Sequence, residues 1–308
     1  MSDTLKNFFD RHSRKNIEYL EWPIKELSDY LFTELGDFVI IAGSPSSGKT
    51  AFALQCVKKW AKKYKVGFFS LETSPEKIFD RYISMVCGID MTTLKRNDIS
   101  DEQWAKVAQS STDITSCPLD IIPAAGMSPA DIRAVTLMKG YQIIVVDYVQ
   151  LVKGTGENRT AQVTDISISL HTMAQSLGVT VIGLSQLKRQ QKDQKSKGPE
   201  LSDLRESGQL EQDADLVMML SLGKDETKER DLRIKKNKEG TLPNVHLTFD
   251  GAHQTFFKAS DGGREVAAEY SAQGKHVRSQ NARDAKKKAE VDGQFSILPD
   301  TERVPFEN

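Results

Sequence analysis

The segment Gly43-Ser44-Pro45-Ser46-Ser47-Gly48-Lys49-Thr50 matches the pattern G-x-x-x-x-G-K-[ST] and constrains the fold more than any other stretch of the chain. Its flanks give the pattern its meaning. Phe38 to Ala42 is an apolar run of strand length entering the motif, and Ala51 to Lys63 leaves it with helical periodicity. A strand, loop and helix in that order bring backbone N–H groups together at a helix N-terminus, where an anion is stabilised, and the glycines let a phosphate approach the backbone closely. Gly43, Ser44, Pro45, Ser46, Ser47, Gly48, Lys49 and Thr50 are therefore expected to hold the phosphates of a nucleotide. Lys49 would reach the β- and γ-phosphates, and the Thr50 hydroxyl would ligate Mg²⁺.

Downstream, short apolar runs alternate with helical patterns, the order of an α/β fold with a mostly parallel sheet. Two runs end in acids. Val66 to Leu71 is followed by Glu72, and Ile143 to Val146 by Asp147. In such sheets ligands lie beyond the carboxyl ends of the strands, so both carboxylates are expected to face the phosphates. Glu72 is the candidate for orienting or deprotonating an attacking water, with capping of the helix near Pro75 as the alternative. Asp147 is the candidate for supporting the metal. Val179 to Leu184 ends at Ser185-Gln186, and Gln186 is placed to sense the γ-phosphate or simply to cap its strand.

The loop from Lys188 to Gly198 holds five cations, Lys188, Arg189, Lys192, Lys195 and Lys197, against the acid Asp193. Such a run is either a solvated surface or a phosphate-backbone contact. Leu201 to Asp215 is too rich in charge to be core, and Asp231 to Lys236, Val245 to Asp250 and Gln254 to Lys258 read as antiparallel edge strands. Residues 1–30 form an amphipathic segment broken at Pro23, which would dock on its own core or on a neighbouring subunit. Residues 31–257 form the α/β domain. Residues 258–308 are polar and aromatic-poor, a tail whose apolar islands would serve as docking peptides. The net charge of −1 over 308 residues neither supports nor excludes nucleic acid. Cys56, Cys87 and Cys117 make no C-x-x-C pair, and no apolar run approaches a membrane span, so a soluble cytoplasmic protein is expected.

Taken together, the phosphate loop, Phe69-Ser70-Leu71-Glu72, Asp147-Tyr148-Val149-Gln150-Leu151, Leu184 to Arg189 and the block Ser202 to Asp215 resemble the C-terminal ATPase domain of DnaB-type replicative helicases. The last block, D-L-R-E-S-G followed by E-Q-D-A-D, discriminates best among phosphate-loop proteins. The resemblance implies a RecA-like fold and a homohexameric ring. It implies Mg-ATP between adjacent subunits, single-stranded DNA through the centre, and Arg205, Glu206, Gly208, Lys188 and Arg189 in contact with that DNA. The family's K-x-R-x-G reads Lys236-Asn237-Lys238-Glu239-Gly240 here, so Lys238 stands where the family carries the arginine that completes a neighbour's ATP site. Lys238, Arg233 or another cation would then take that role. Two other functions fit the same residues: a recombination or repair ATPase, and an ATP-dependent module that engages a helicase or its loader.

Overall fold

A computed structural model describes residues 5, 6, 8, 9, 18–187 and 199–259, all within the compact unit Met1–Ser260. The loop cations from Lys188 to Lys197 and the tail beyond residue 259 lie outside the described residues.

Among the described residues the strands form one nine-stranded sheet: β1 (Phe38–Gly43), β2 (Val66–Ser70), β3 (Leu119–Pro123), β4 (Ile143–Asp147), β5 (Thr180–Gln186), β6 (Leu216–Leu222), β7 (Glu229–Asn237), β8 (Asn244–Asp250) and β9 (Thr255–Lys258). Their order is β3-β2-β4-β5-β1-β6-β7-β8-β9. The six from β3 to β6 run parallel, and β7, β8 and β9 extend the sheet as an antiparallel wing. The helices are α1 (Lys25–Tyr30), α2 (Lys49–Trp60), α3 (Pro75–Cys87), α4 (Met91–Arg96), α5 (Asp101–Ser116), α6 (Pro129–Lys139), α7 (Arg159–Leu177) and α8 (Gly208–Asp213). The expected α/β architecture, mostly parallel with antiparallel edge strands, is the one observed.

Side chains alternate across a strand, and β1 shows the consequence. Val39 and Ile41 enter the core beneath α2, while Phe38, Ile40 and Ala42 enter the core beneath α7. With apolar layers on both faces, β1 has no solvent face, which is why its sequence is a continuous apolar run rather than an alternating one.

Of the two placements expected for the N-terminal segment, residues 20–31 take the chain's own core, whereas Leu5, Phe8 and Phe9 are exposed. Leu20, Trp22, Ile24, Leu27 and Leu31 are buried with the α2 side chains. Trp22 meets Trp60 edge-on at 5.2 Å, and the Trp60 indole N–H donates to the Glu21 carbonyl at 2.8 Å. Each such side chain contributes about 1.5–3 kcal/mol of burial.

The expectation that Leu201 to Asp215 stays out of the core is corrected. A 3-10 turn, Leu201–Ser207, leads into α8, and Leu204, Leu210 and Ala214 are buried against the α7 face. Composition averages over a segment, whereas burial follows the face: residues three or four apart share one side of a helix. The helix α4 was not foreseen. Its signals are local, Asp90 accepting from the Thr92 N–H at 2.5 Å and Asn97 closing it at φ 54°.

Candidate active site

The phosphate loop turns from β1 into α2 with two residues in the left-handed region, Ser46 (φ 62°) and Gly48 (φ 97°). A β-carbon at Gly48 would lie 2.7 Å from Phe256, and one at Gly43 would lie 2.6 Å from both the Leu220 carbonyl and the Ser47 hydroxyl, so neither site tolerates a side chain. The Lys49 ammonium bends back to donate to the Gly43 and Ser44 carbonyls at 2.8 and 3.1 Å. Burial lowers the Lys49 pKa, opposed by the charges of Asp147 and Glu72. The Ser47 hydroxyl oxygen is buried without a hydrogen-bond partner among the described residues. A buried unpaired hydroxyl, a desolvated ammonium and a cradle with no room for β-carbons fit the phosphates of a nucleotide.

Strand register brings the remaining groups to the same edge. Ser70 pairs with Asp147 and Gly43 with Gln186, so the strand ends that carry Glu72, Asp147, Gln186 and the phosphate loop lie side by side. The Thr50 hydroxyl donates to Asp147 Oδ2 at 2.9 Å. Burial raises the Asp147 pKa, against the Thr50 hydrogen bond and the Lys49 charge. A hydroxyl and a carboxylate in contact beside a lysine form an oxygen donor pair suited to Mg²⁺. Glu72 does not cap the helix that follows, since Ser74 occupies the N-cap of α3. The Leu71 N–H donates to the Asp147 carbonyl at 2.8 Å, tying the Glu72 turn to Asp147, and the Glu72 side chain is exposed. Gln186, also exposed, is gripped through its backbone: Gln150 Nε2 donates to its carbonyl and Gln150 Oε1 accepts from its N–H, both at 3.3 Å.

Residues 30–258 match the model of the DnaB-like helicase C terminal domain. The chain belongs to this family. It is similar to a probable plasmid replicative DNA helicase of Chlamydia trachomatis serovar L2, 35% identical over 222 residues, covering 70% of this chain and 49% of that protein. It is likewise 35% identical over 235 residues to the replicative DNA helicase DnaB of Geobacillus stearothermophilus, covering 71% of this chain and 52% of that one. The solved structure of a DnaB-like replicative helicase superposes with a TM-score of 0.74 at 33% identity, covering 83% of this chain and 66% of that one. The DnaB-like fold is RecA-like, and the chain spans about half the length of the curated relatives it matches.

Within this DnaB-like domain Lys238 is not with the other site residues. It follows β7, which runs antiparallel to β6, and therefore sits at the end of the sheet opposite the phosphate loop. Its ammonium contacts Asp215 Oδ1 at 2.6 Å, while Asp215 Oδ2 accepts from the Phe38 N–H at 2.8 Å. Arg233, the other named substitute, lies within β7 with its guanidinium 3.8 Å from Asp231. Arg205 and Glu206 fall in the 3-10 turn and Gly208 opens α8, whereas Lys188 and Arg189 lie outside the described residues. Gln150 stands in the D-Y-V-Q-L motif, but its hold on the Gln186 backbone has no local signal, and Arg230, which donates to the Ser47 carbonyl at 3.0 Å, is likewise a contact across the sheet. For Arg230, an ordinary residue in an alternating strand, there was no local signal.

Proposed function

We propose that this chain is the motor domain of a DNA helicase that binds Mg-ATP between adjacent copies and moves on single-stranded DNA as it hydrolyses the nucleotide. One observation supports this most directly: the phosphate loop, Thr50, Asp147, Glu72 and Gln186 share one sheet edge, while Lys238 stands at the opposite end. A lysine side chain is too short to reach along the length of these strands, so a site that includes Lys238 draws on two copies. Head-to-tail contacts of that kind close into a ring when the rotation between copies closes and run on as a filament when it does not; the ring, a hexamer, is the form proposed here.

Lys49 holds the β- and γ-phosphates, and Thr50 and Asp147 hold the metal. The metal supplies charge neutralisation at the phosphate oxygens. Glu72 orients the water and accepts its proton. Gln186 reports the γ-phosphate to the basic loop that begins at Lys188, which with Arg205, Glu206 and Gly208 grips the sugar-phosphate backbone without regard to base sequence. The protein acts in the cytoplasm, and residues 258–308 engage a loader or another replication partner.

The test is ATP hydrolysis and unwinding of forked DNA by the whole chain. Single-stranded DNA is expected to stimulate hydrolysis, and Lys49→Ala to abolish it. Full hydrolysis by that variant removes the phosphate-loop role. Strand exchange without unwinding would favour the recombination ATPase, and slow hydrolysis indifferent to DNA would favour the partner-binding module.

A further inference from the structure

Arg230 is a buried cation outside the residues assigned above, 5% exposed, at the end of β7 nearest the phosphate loop. Its Nε donates to the Ser47 carbonyl at 3.0 Å, and its Nη1 donates to the Glu226 and Glu229 carbonyls at 2.9 and 2.8 Å. The guanidinium lies 5.1 Å over the Phe249 ring. Phe249 packs at 4.5 Å on Phe256, the ring that fills the space a Gly48 side chain would need. Phe256 in turn is clamped to α2, its N–H donating to Gln55 Oε1 at 2.8 Å and its carbonyl accepting from Gln55 Nε2 at 2.9 Å. The antiparallel wing thus backs the loop, with Phe256 packed beside Gly48 and Arg230 hydrogen-bonded to the Ser47 carbonyl.

The bonded carbonyl matters because of peptide planarity. The Ser47 C=O and the Gly48 N–H belong to one trans peptide and point in opposite directions. A donor on β7 that captures the carbonyl therefore turns the N–H away from β7. Gly48, at φ 97°, has little steric preference of its own, so its amide needs an external constraint. A guanidinium, always charged, also polarises that peptide and strengthens the N–H as a donor to an anion.

We propose that Arg230 is a positioning residue that orients the Gly48 N–H toward the phosphates of a nucleoside di- or triphosphate. The proposal rests on the phosphate-loop role of Gly43 to Thr50, and Lys49→Ala separates the two. The experiment is calorimetric titration of the whole chain with ADP, beside thermal melting of the nucleotide-free protein. Arg230→Met is expected to raise the Kd for ADP by roughly tenfold or more, and Arg230→Lys, which keeps the charge but not the fork, by about threefold. A merely structural role would lower the melting temperature and leave the Kd in place. An Arg230→Met Kd within about twofold of the parent overturns the proposal, provided Lys49→Ala loses ADP; if Lys49→Ala binds ADP normally, the loop's role is what fails. Should Arg230→Met not fold, Arg230→Lys decides by the same criterion.

Discussion

Mixing two inactive variants tests whether Lys238 serves a neighbour. The ion pair that holds it, 2.6 Å to Asp215, has side chains 45% and 19% exposed. An exposed pair of this kind is worth about 0.2–1 kcal/mol, so releasing Lys238 costs at most about fivefold in population. Lys238→Ala should accordingly leave stability within about 1 kcal/mol of the parent. An arginine finger contributes about 10³–10⁵ in rate and a lysine lacks its planar fork, so the same variant should lose about 10²–10³ in kcat. Lys49→Ala should be inactive for a separate reason, loss of phosphate binding. In an equimolar mixture, an interface with the phosphate loop of the Lys238→Ala copy and the Lys238 of the Lys49→Ala copy is complete. Random head-to-tail assembly makes about one quarter of interfaces of that type. DNA-stimulated ATPase is the assay, with recovery toward about one quarter of the parental rate as the expected result. A mixture no better than the mean of its two components would refute action across a subunit boundary, and Lys238→Arg should raise turnover only if that action is real.

Glu72→Gln should keep nucleotide affinity, measured by ADP titration, and lose hydrolysis; retained turnover would remove Glu72 as the base. Burial, with Asp215, Glu34 and Glu239 nearby, pushes the Asp37 pKa up to about 6 against the hydrogen bond it accepts from the Glu34 N–H. A raised carboxylate pKa stabilises the fold fully below the unfolded value near 3.8 and loses that contribution as pH rises through about 6. Asp37→Asn should thus raise the melting temperature at pH 7.5 by about 2–4 °C, with the gain fading toward pH 4, and a gain that grew in acid would contradict the assignment. Leu210, fully buried on α8, should cost about 2–5 kcal/mol when changed to alanine, read from denaturant midpoints; a loss below about 0.5 kcal/mol would mean that the segment is not anchored in the core.

The features legible along the chain were those whose physics is local. A Gly-rich turn between an apolar strand and a helix, and acids directly after apolar runs, place Gly43 to Thr50, Glu72 and Asp147 at strand ends because loop, strand and strand end are adjacent in sequence. Strand alternation likewise made the antiparallel edge readable from Asp231 onward. Segment composition misjudged Leu201 to Asp215, since three buried apolar side chains among many charges are visible only once a helical face is assigned. What pairing in space settled lies at long separations. Thr50 meets Asp147 across 97 residues and Arg230 meets Ser47 across 183. The end of the sheet at which Lys238 emerges depends on β7 running antiparallel to β6. No propensity or spacing encodes such contacts, because they exist only after the sheet has set the order and direction of its strands.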